Sequence, residues 1–439
     1  MTALQMCLLL FTLMLGLMAV RVPIAVAMFV SGVVGFVMQS GTPMLLNYLK
    51  GSAEARFTSY ELSVIPLFLL MGQFATQGGL SKSLFGFANA LLGHFKGGMA
   101  MAGVLACAAF GAVCGSSMAT AATIASVALP EMRRHGYSGR LATATLAAGG
   151  TLGIMIPPSV VLVIYGILTE QNIAKLFAAA FIPGLIATAG YIAAIAIYVR
   201  LVPGQAPEAQ AATRAALLDS ARGVWPIAAI FLLVFGGIYG GVFTPTEAAA
   251  VGAAATFLAG VLRRELGWSR IKAAFLATAE SSAMIFLIFL GADMLNSALA
   301  LTQVPNQLAA AVGALGLPPL LVVVAILLFY VALGAVMDEL SMILLTIPIF
   351  FPLVMGLDLG LPPAEKAIWF GILVLMVVEI GLIAPPVGLN VYVVNGMARD
   401  VPIGESYRGV LPFLASDFLR TALLVAFPGL SLWLVRLIG

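Results

Sequence analysis

Two stretches of this sequence combine residue types that do chemistry in apolar surroundings. Gly153-Ile154-Met155-Ile156-Pro157-Pro158 is echoed 228 positions later by Gly381-Leu382-Ile383-Ala384-Pro385-Pro386. Each interrupts a long apolar segment with two prolines, which remove two backbone donors and bias the preceding residue away from the helical region. Carbonyls one turn upstream lose their partners. At membrane depth such backbone survives only where protein buries it or a watery cavity lies beside it, and paired broken helices in two halves point to a transporter's binding site. Unwound carbonyls suit an alkali cation, and half-helix N-termini suit a carboxylate.

The elements that must position these breaks are all helical and lie in a membrane. The 439 residues are 62% apolar and 9% charged, against about 25% charged in a soluble globule. An all-α polytopic membrane protein is expected. Cys7, Cys107 and Cys114 lie in apolar surroundings without metal-like spacing and read as small hydrophobes. No Gly-x-x-x-x-Gly-Lys-Ser/Thr occurs, so ATP is not expected to drive this chain.

Taken in order, residues 1–20 read as a first span, 22–38 as a second and 64–79 as a third. Leu84, Ala88, Leu91 and Phe95 then share one face of a helix expected along the membrane surface. Residues 98–134 are too few for two crossings of about 20 residues each. They read as a re-entrant hairpin with the tip Gly111-Ala112-Val113-Cys114-Gly115-Ser116-Ser117. A broken helix over 141–169 and a span over 176–199 close a first repeat, 1–202. Residues 203–223 are polar and Ala-rich and read as a cytoplasmic linker.

The second repeat, 224–439, follows the same plan. Spans are expected at 225–240 and 247–262, then a surface piece with Arg270 and Lys272, and a span at 281–300. A weakly amphipathic stretch near 304–315 precedes a hairpin over 318–355, with Gly334 to Ser341 at its middle. A broken helix over 365–398 and a last span over 409–436 complete it. Five crossings and one hairpin per repeat make the second repeat inverted, so the hairpins approach the midplane from opposite sides. With both termini outside, 16 basic residues, Arg420 among them, fall on the cytoplasmic side and 5 outside, as the positive-inside rule requires.

Polar residues at depth carry two readings each. Ser116 and Ser117 are ion or substrate contacts, or small residues that allow close packing. Asp338 and Glu339 cost roughly 3 kcal/mol each in lipid and must reach water, a partner or an ion. Glu379 and Asp293 read as buried acids satisfied by hydroxyls or backbone amides. His94 and His135 read as solvated loop residues. On this pattern no basic residue lies within the membrane.

Several of these residues carry a family resemblance. Phe110 to Ser117, Thr151-Leu152-Gly153-Ile154-Met155-Ile156-Pro157-Pro158-Ser159, Ile182-Pro183-Gly184-Leu185 and Glu379 to Asn390 together resemble the large membrane subunit of tripartite ATP-independent periplasmic (TRAP) transporters of the C4-dicarboxylate type. The family usually has Thr where Ala384 sits and a small Ser-like residue where Glu339 sits. The resemblance implies an elevator-type secondary transporter in the bacterial inner membrane. It imports an organic acid with Na⁺ as coupling ion and no other cofactor, and it is not an enzyme. The implied partners are a periplasmic substrate-binding protein, a small four-helix membrane subunit and membrane lipid, with no nucleic acid.

One Na⁺ site is expected between the tip Gly115-Ser116-Ser117 and Gly153, Pro157 and Ser159. A second is expected between Gly334 and Asp338 on one side and Gly381, Ala384 and Val387 on the other, where Ala384 offers only its carbonyl. Substrate carboxylate is expected between them, near Ser117, Ser159 and Asn390. Two alternatives stand beside this reading. One is a stand-alone sodium/dicarboxylate or citrate-type permease; the other is a polytopic membrane enzyme, which needs paired catalytic groups facing one cavity.

Overall fold

The computed structural model describes residues 3–208, 214–304, 307, 310, 312, 314–335 and 337–438. Every regular element among them is helical. Eight segments among the described residues are long and apolar enough to cross a membrane, the broken stretch 139–169 counted as one. The four hairpin arms fall below or at that limit, at 16 to 18 residues.

A frame of seven helices comes first in the packing. α1 (Ala3–Ala19) lies against α2 (Ile24–Phe57), and α2 runs along α12 (Trp268–Thr302). α3 (Val64–Gln77) packs on α11 (Pro245–Leu262), and α4 (Leu80–Leu92) on α10 (Arg214–Tyr239). α4 leaves α3 at 69°, as a surface helix should. Its buried face is Leu80, Ser81, Leu84, Phe85 and Ala88. Leu91 and Phe95 are exposed, so the expected four-residue stripe holds only for its first half. The helix ends at Leu92, and Phe95 lies beyond its phase.

Several boundaries differ from the sequence reading for identifiable reasons. The surface piece near Arg270 and the span after it form one 35-residue helix, α12, because nothing between them breaks a helix. α2 continues past residue 38 to Phe57 and is interrupted only at Gly41, whose φ of 77° no ordinary residue adopts readily. α10 begins at Arg214, so the second half of the expected linker is helical, while residues 209–213 lie outside the described residues. Most of the stretch near 304–315 lies outside them too. The last span is two helices, α17 (Ile403–Ala426) and α18 (Gly429–Ile438). Pro428 brings no N–H to the Leu424 carbonyl, and the Trp369 indole supplies one instead at 2.9 Å.

Both hairpins and both broken helices appear where the small residues and prolines put them. The first hairpin is α5 (Gly98–Cys114) and α6 (Ser117–Arg134); the first broken helix is α7 (Gly139–Met155) and α8 (Val160–Thr169). α9 (Ile173–Leu201) follows. The second hairpin is α13 (Pro319–Gly334) and α14 (Glu339–Met355), and the second broken helix α15 (Pro363–Ile383) and α16 (Leu389–Met397). α9 and α17 pack on α7 and on each other, so they belong with the hairpins rather than with the frame.

The two halves repeat one packing device. Lipid tails give no hydrophobic drive between helices, so association rests on close contact between small residues. A Cβ on Gly111 would stand 2.6 Å from the Gly153 Cα, and one on Gly381 would stand 2.6 Å from the Gly334 Cα. Each hairpin's first arm thus touches the broken helix of its own half, backbone to backbone, just before the break. Beyond the breaks the pairing crosses over: α8 packs on α14, and α16 packs on α6 and α7.

The close contact predicts a measurable asymmetry between glycines. Gly111→Ala should destabilise the protein by about 1–3 kcal/mol through overpacking. Gly86→Ala, in α4 with open space around it, should be neutral or stabilising. Thermal unfolding of both variants in lipid nanodiscs checks this; equal midpoints would contradict the backbone contact.

Candidate functional site

Four helix N-termini and four C-termini meet where the tips face the breaks. At the first tip, Gly115 takes φ 67°, the left-handed conformation that lets the chain reverse without a side chain in the way. Ser116 caps α6, its hydroxyl accepting from the Ala119 N–H at 3.4 Å. At the first break, Pro157 and Pro158 deprive the Gly153 and Ile154 carbonyls of their i+4 donors. Ser159 then caps α8 by accepting from the Leu162 N–H at 3.3 Å. The Pro157-Pro158 and Pro385-Pro386 peptide bonds are both cis.

Tip and break interlock in the first half. A Cβ on Gly115 would lie 2.9 Å from the Pro158 carbonyl oxygen, and one on Gly153 would lie 2.7 Å from the Ser116 carbonyl oxygen and 2.4 Å from Thr120 Oγ1. Thr120 is fully buried, and its hydroxyl meets only the weakly bonding Cys114 thiol. A buried hydroxyl with so weak a partner, beside two carbonyl-bearing turns, is a cation-compatible oxygen group. Thr120 escaped the sequence reading, although its signal was there: it lies one helical turn past Ser116 on the same face of α6.

The second half is more open. Asp338 caps α14, accepting from the Ser341 N–H at 3.0 Å, in the place that Ser116 holds at the first tip. Ser341 Oγ and Glu339 Oε2 are buried without partners. Pro157 and Pro158 are buried, whereas Pro385 and Pro386 are exposed. Tyr407, at the start of the second turn of α17, shares its one hydroxyl proton between the Pro386 and Val387 carbonyls, at 2.9 and 2.7 Å. The Val387 oxygen, an expected ion ligand, is therefore already engaged by a hydroxyl. Gly388 precedes α16 at φ 53° and leaves that helix without a side-chain cap.

The two halves touch through Asn390. Its amide donates to Ser117 Oγ at 2.7 Å and to the Ala147 carbonyl at 3.1 Å, while its Oδ1 is unpartnered. Ser117, Ser159 and Asn390 are each fully buried. The structure brings Ser117 and Asn390 together and keeps the Ser159 hydroxyl on its own helix.

One part of the sequence reading is overturned. Arg420 is not a cytoplasmic residue; it lies within α17, 3% exposed, and Glu379 and Asp417 beside it are fully buried. Its guanidinium reaches Glu379 at 2.8 Å and Asp417 at 3.0 Å. A basic residue therefore does lie at membrane depth, and Glu379 is held by an ion pair rather than by hydroxyls or amides. Asp293 does take a hydroxyl, accepting from Tyr48 at 2.8 Å.

Comparison with known proteins supplies the family. Residues 11–430 match the family model described as tripartite ATP-independent periplasmic transporter, DctM component. A C4-dicarboxylate TRAP transporter large permease protein, DctM, of Pseudomonas aeruginosa is 37% identical over 382 residues, 87% of each chain. An ectoine TRAP transporter large permease protein, TeaC, of Halomonas elongata is 31% identical, covering 96% of this chain and 97% of its own. An isethionate TRAP transporter permease protein, DctMQ, of Oleidesulfovibrio alaskensis is 32% identical over 91% of this chain but only 61% of its own. Among solved structures, the YdaH transporter of Alcanivorax borkumensis shares the fold, with a TM-score of 0.61 over 88% of each chain at 17% identity. A paired-break, double-hairpin chain matched over nearly its whole length belongs to the DctM family: it is a multi-span large permease component of a TRAP transporter.

Proposed function

We propose that this chain is the membrane-embedded carrier of a sodium-driven importer of an organic acid. The observation that carries the reading is the first break: the turn that leaves the Gly153 and Ile154 carbonyls without their i+4 donors packs at Gly153 against the Ser116 carbonyl and the Thr120 hydroxyl in a buried setting. Oxygen groups without donors, beside helix C-termini, favour a monovalent cation. Gly115, Ser116, Ser117, Gly153, Pro157 and Ser159 surround that position, with Thr120 added. A second Na⁺ lies between Gly334 and Asp338 and the loop Gly381, Ala384 and Val387. It binds more weakly there, because Ala384 brings no hydroxyl and Tyr407 already occupies the Val387 carbonyl.

The solute carboxylate binds between the ion sites, at the uncapped N-terminus of α16 and at Ser117, Ser159 and Asn390. These three are buried, so the solute reaches them when tip and break part. C4-dicarboxylate, ectoine and isethionate appear in the names of relatives, and all three solutes carry an anionic group. An organic acid is the class that fits here. It arrives on a periplasmic binding protein, and a small membrane subunit stands beside the frame. The DctMQ relative, much longer than this chain, fits a second permease segment fused in some proteins. The chain lies in the inner membrane with both termini periplasmic. A stand-alone permease is the weaker reading, since full-length relatives carry the TRAP name.

Motion follows an elevator scheme: α5–α9 and α13–α17 shift against the frame of α1–α4 and α10–α12. Asn296 on α12 donates to the Leu344 carbonyl on α14 at 3.1 Å, a contact that spans this boundary. A disulfide between Asn296→Cys and Leu344→Cys should abolish uptake, and reduction should restore it; turnover with the cross-link complete would sink the scheme.

Two further outcomes test the ion and partner assignments. Thr120→Val and Ser117→Ala should each raise the sodium concentration for half-maximal uptake about tenfold, or about 1.4 kcal/mol of binding, and Ser341→Ala less. Unchanged sodium dependence in the Ser117→Ala, Thr120→Val double variant rules out the side-chain part of the first site. The purified chain in liposomes should take up no solute until the small subunit and a loaded binding protein are both added. Saturable uptake by the chain alone would instead favour the stand-alone permease.

A further inference from the structure

The cluster around Arg420 has no task in the reading above, and stability does not account for it. Replacing buried ion pairs by well-packed apolar residues is often neutral or stabilising, and this one carries two carboxylates against one guanidinium. Its bonds are also incomplete. Glu379 Oε1 and Arg420 Nε are buried without hydrogen-bond partners, and Asp417 Oδ1 meets only the guanidinium, as an ion pair at 3.0 Å.

Its position is informative. The Tyr191 hydroxyl, from α9, donates to Asp417 Oδ2 at 2.9 Å and lies 3.2 Å from Thr151 Oγ1, whose own proton is shared between Tyr191 and the Ala148 carbonyl at 2.8 Å. Arg420 Nη1 points at Met155 Sδ, 3.5 Å away, and the guanidinium carbon lies 5.9 Å from the Tyr191 ring centre. Thr151 and Met155 form the last turn of α7, and Glu379 stands one turn before the end of α15. One chain of hydrogen bonds and ion pairs, Thr151 to Tyr191 to Asp417 to Arg420 to Glu379, therefore joins the helix ends that lead into the two breaks.

We propose that Tyr191, Asp417, Arg420 and Glu379 are positioning residues that couple the two proline breaks, so that a shift at one is felt at the other. The unused Arg420 Nε gives the guanidinium a second pairing. When α15 draws Glu379 away, Arg420 turns fully onto Asp417, whose Oδ1 already lies 3.0 Å from Nη2. Asp417 then loosens its hold on Tyr191, and the last turn of α7 loses its tie. Coupling of this kind requires an element with two discrete arrangements, and the spare bonding capacity supplies one. The functional importance of this coupling rests on the reading of the breaks as transport sites; the coupling itself does not.

Hydrogen exchange of the full chain in lipid nanodiscs, without sodium or solute, tests it. Glu379→Gln keeps the side-chain shape and should raise exchange about tenfold, on the scale of one buried hydrogen bond, in residues 376–384 and also in residues 149–156. Tyr191→Phe, which removes one hydroxyl, asks the same question in reverse and should raise exchange in 376–384. Effects confined to the mutated side in both variants would overturn the proposal and leave a local ion pair. Should Glu379→Gln fail to fold, Tyr191→Phe alone decides. In the assembled transporter both variants should lower the maximal uptake rate while leaving the half-saturating solute concentration unchanged. Absence of uptake by the unaltered protein would count against the transport reading alone.

Discussion

Everything at the centre of this protein answers to one constraint: two proline pairs leave backbone carbonyls without donors at a depth where lipid offers none. An unsatisfied polar group there costs several kcal/mol, so the surrounding chain must cover the breaks. Hairpins do this because they bring a helix turn to the break without crossing the membrane. Gly111 against Gly153 and Gly334 against Gly381 set how closely hairpin and broken helix approach. Any side chain at those points would hold the tip away from the oxygens it covers.

Covering both breaks with one chain also explains why the halves exchange partners. A short half-helix such as α8, with ten residues, cannot fold onto its own hairpin once the break has turned it aside. It lies instead on α14, and its Tyr165 hydroxyl donates to the Ala367 carbonyl of α15 at 2.6 Å. α16 does the same on α6 and α7 through Asn390. Neither half could then be stable alone, since each supplies a wall for the other's break. The symmetry is not complete. Serine caps and buried prolines seal the first break, while an acidic cap, exposed prolines and a tyrosine from α17 leave the second accessible.

The elements legible in the sequence were those that local chemistry dictates. Prolines and small-residue tips placed both hairpins and both breaks within a few residues, because no tertiary contact competes with a missing N–H. Boundaries that depend on continuity were missed. Nothing in residues 262–302 says where a surface helix stops, since α12 does not stop there. Arg420 was misplaced because one arginine near the end of an apolar run looks the same whether it snorkels to the surface or turns inward. Only Asp417, three residues earlier, and Glu379, 41 residues earlier, decide between those outcomes. Thr120 lay one turn from a recognised tip residue, and nothing local distinguishes it from a threonine that bonds back to its own helix.

The placement of Arg420 changes how the helices group into bodies. A buried charge binds together whatever helices supply its partners, because separating them strands an ion in low dielectric. Here the partners come from α15 and α17, with Tyr191 of α9 donating to Asp417. α9 and α17, which composition alone would class with the outer spans, are thereby fixed to the broken helices. The body that contains the breaks must be larger than the hairpins and broken helices themselves. Where α14 meets α12, by contrast, Asn296 donates to the Leu344 carbonyl, a neutral hydrogen bond rather than a buried ion.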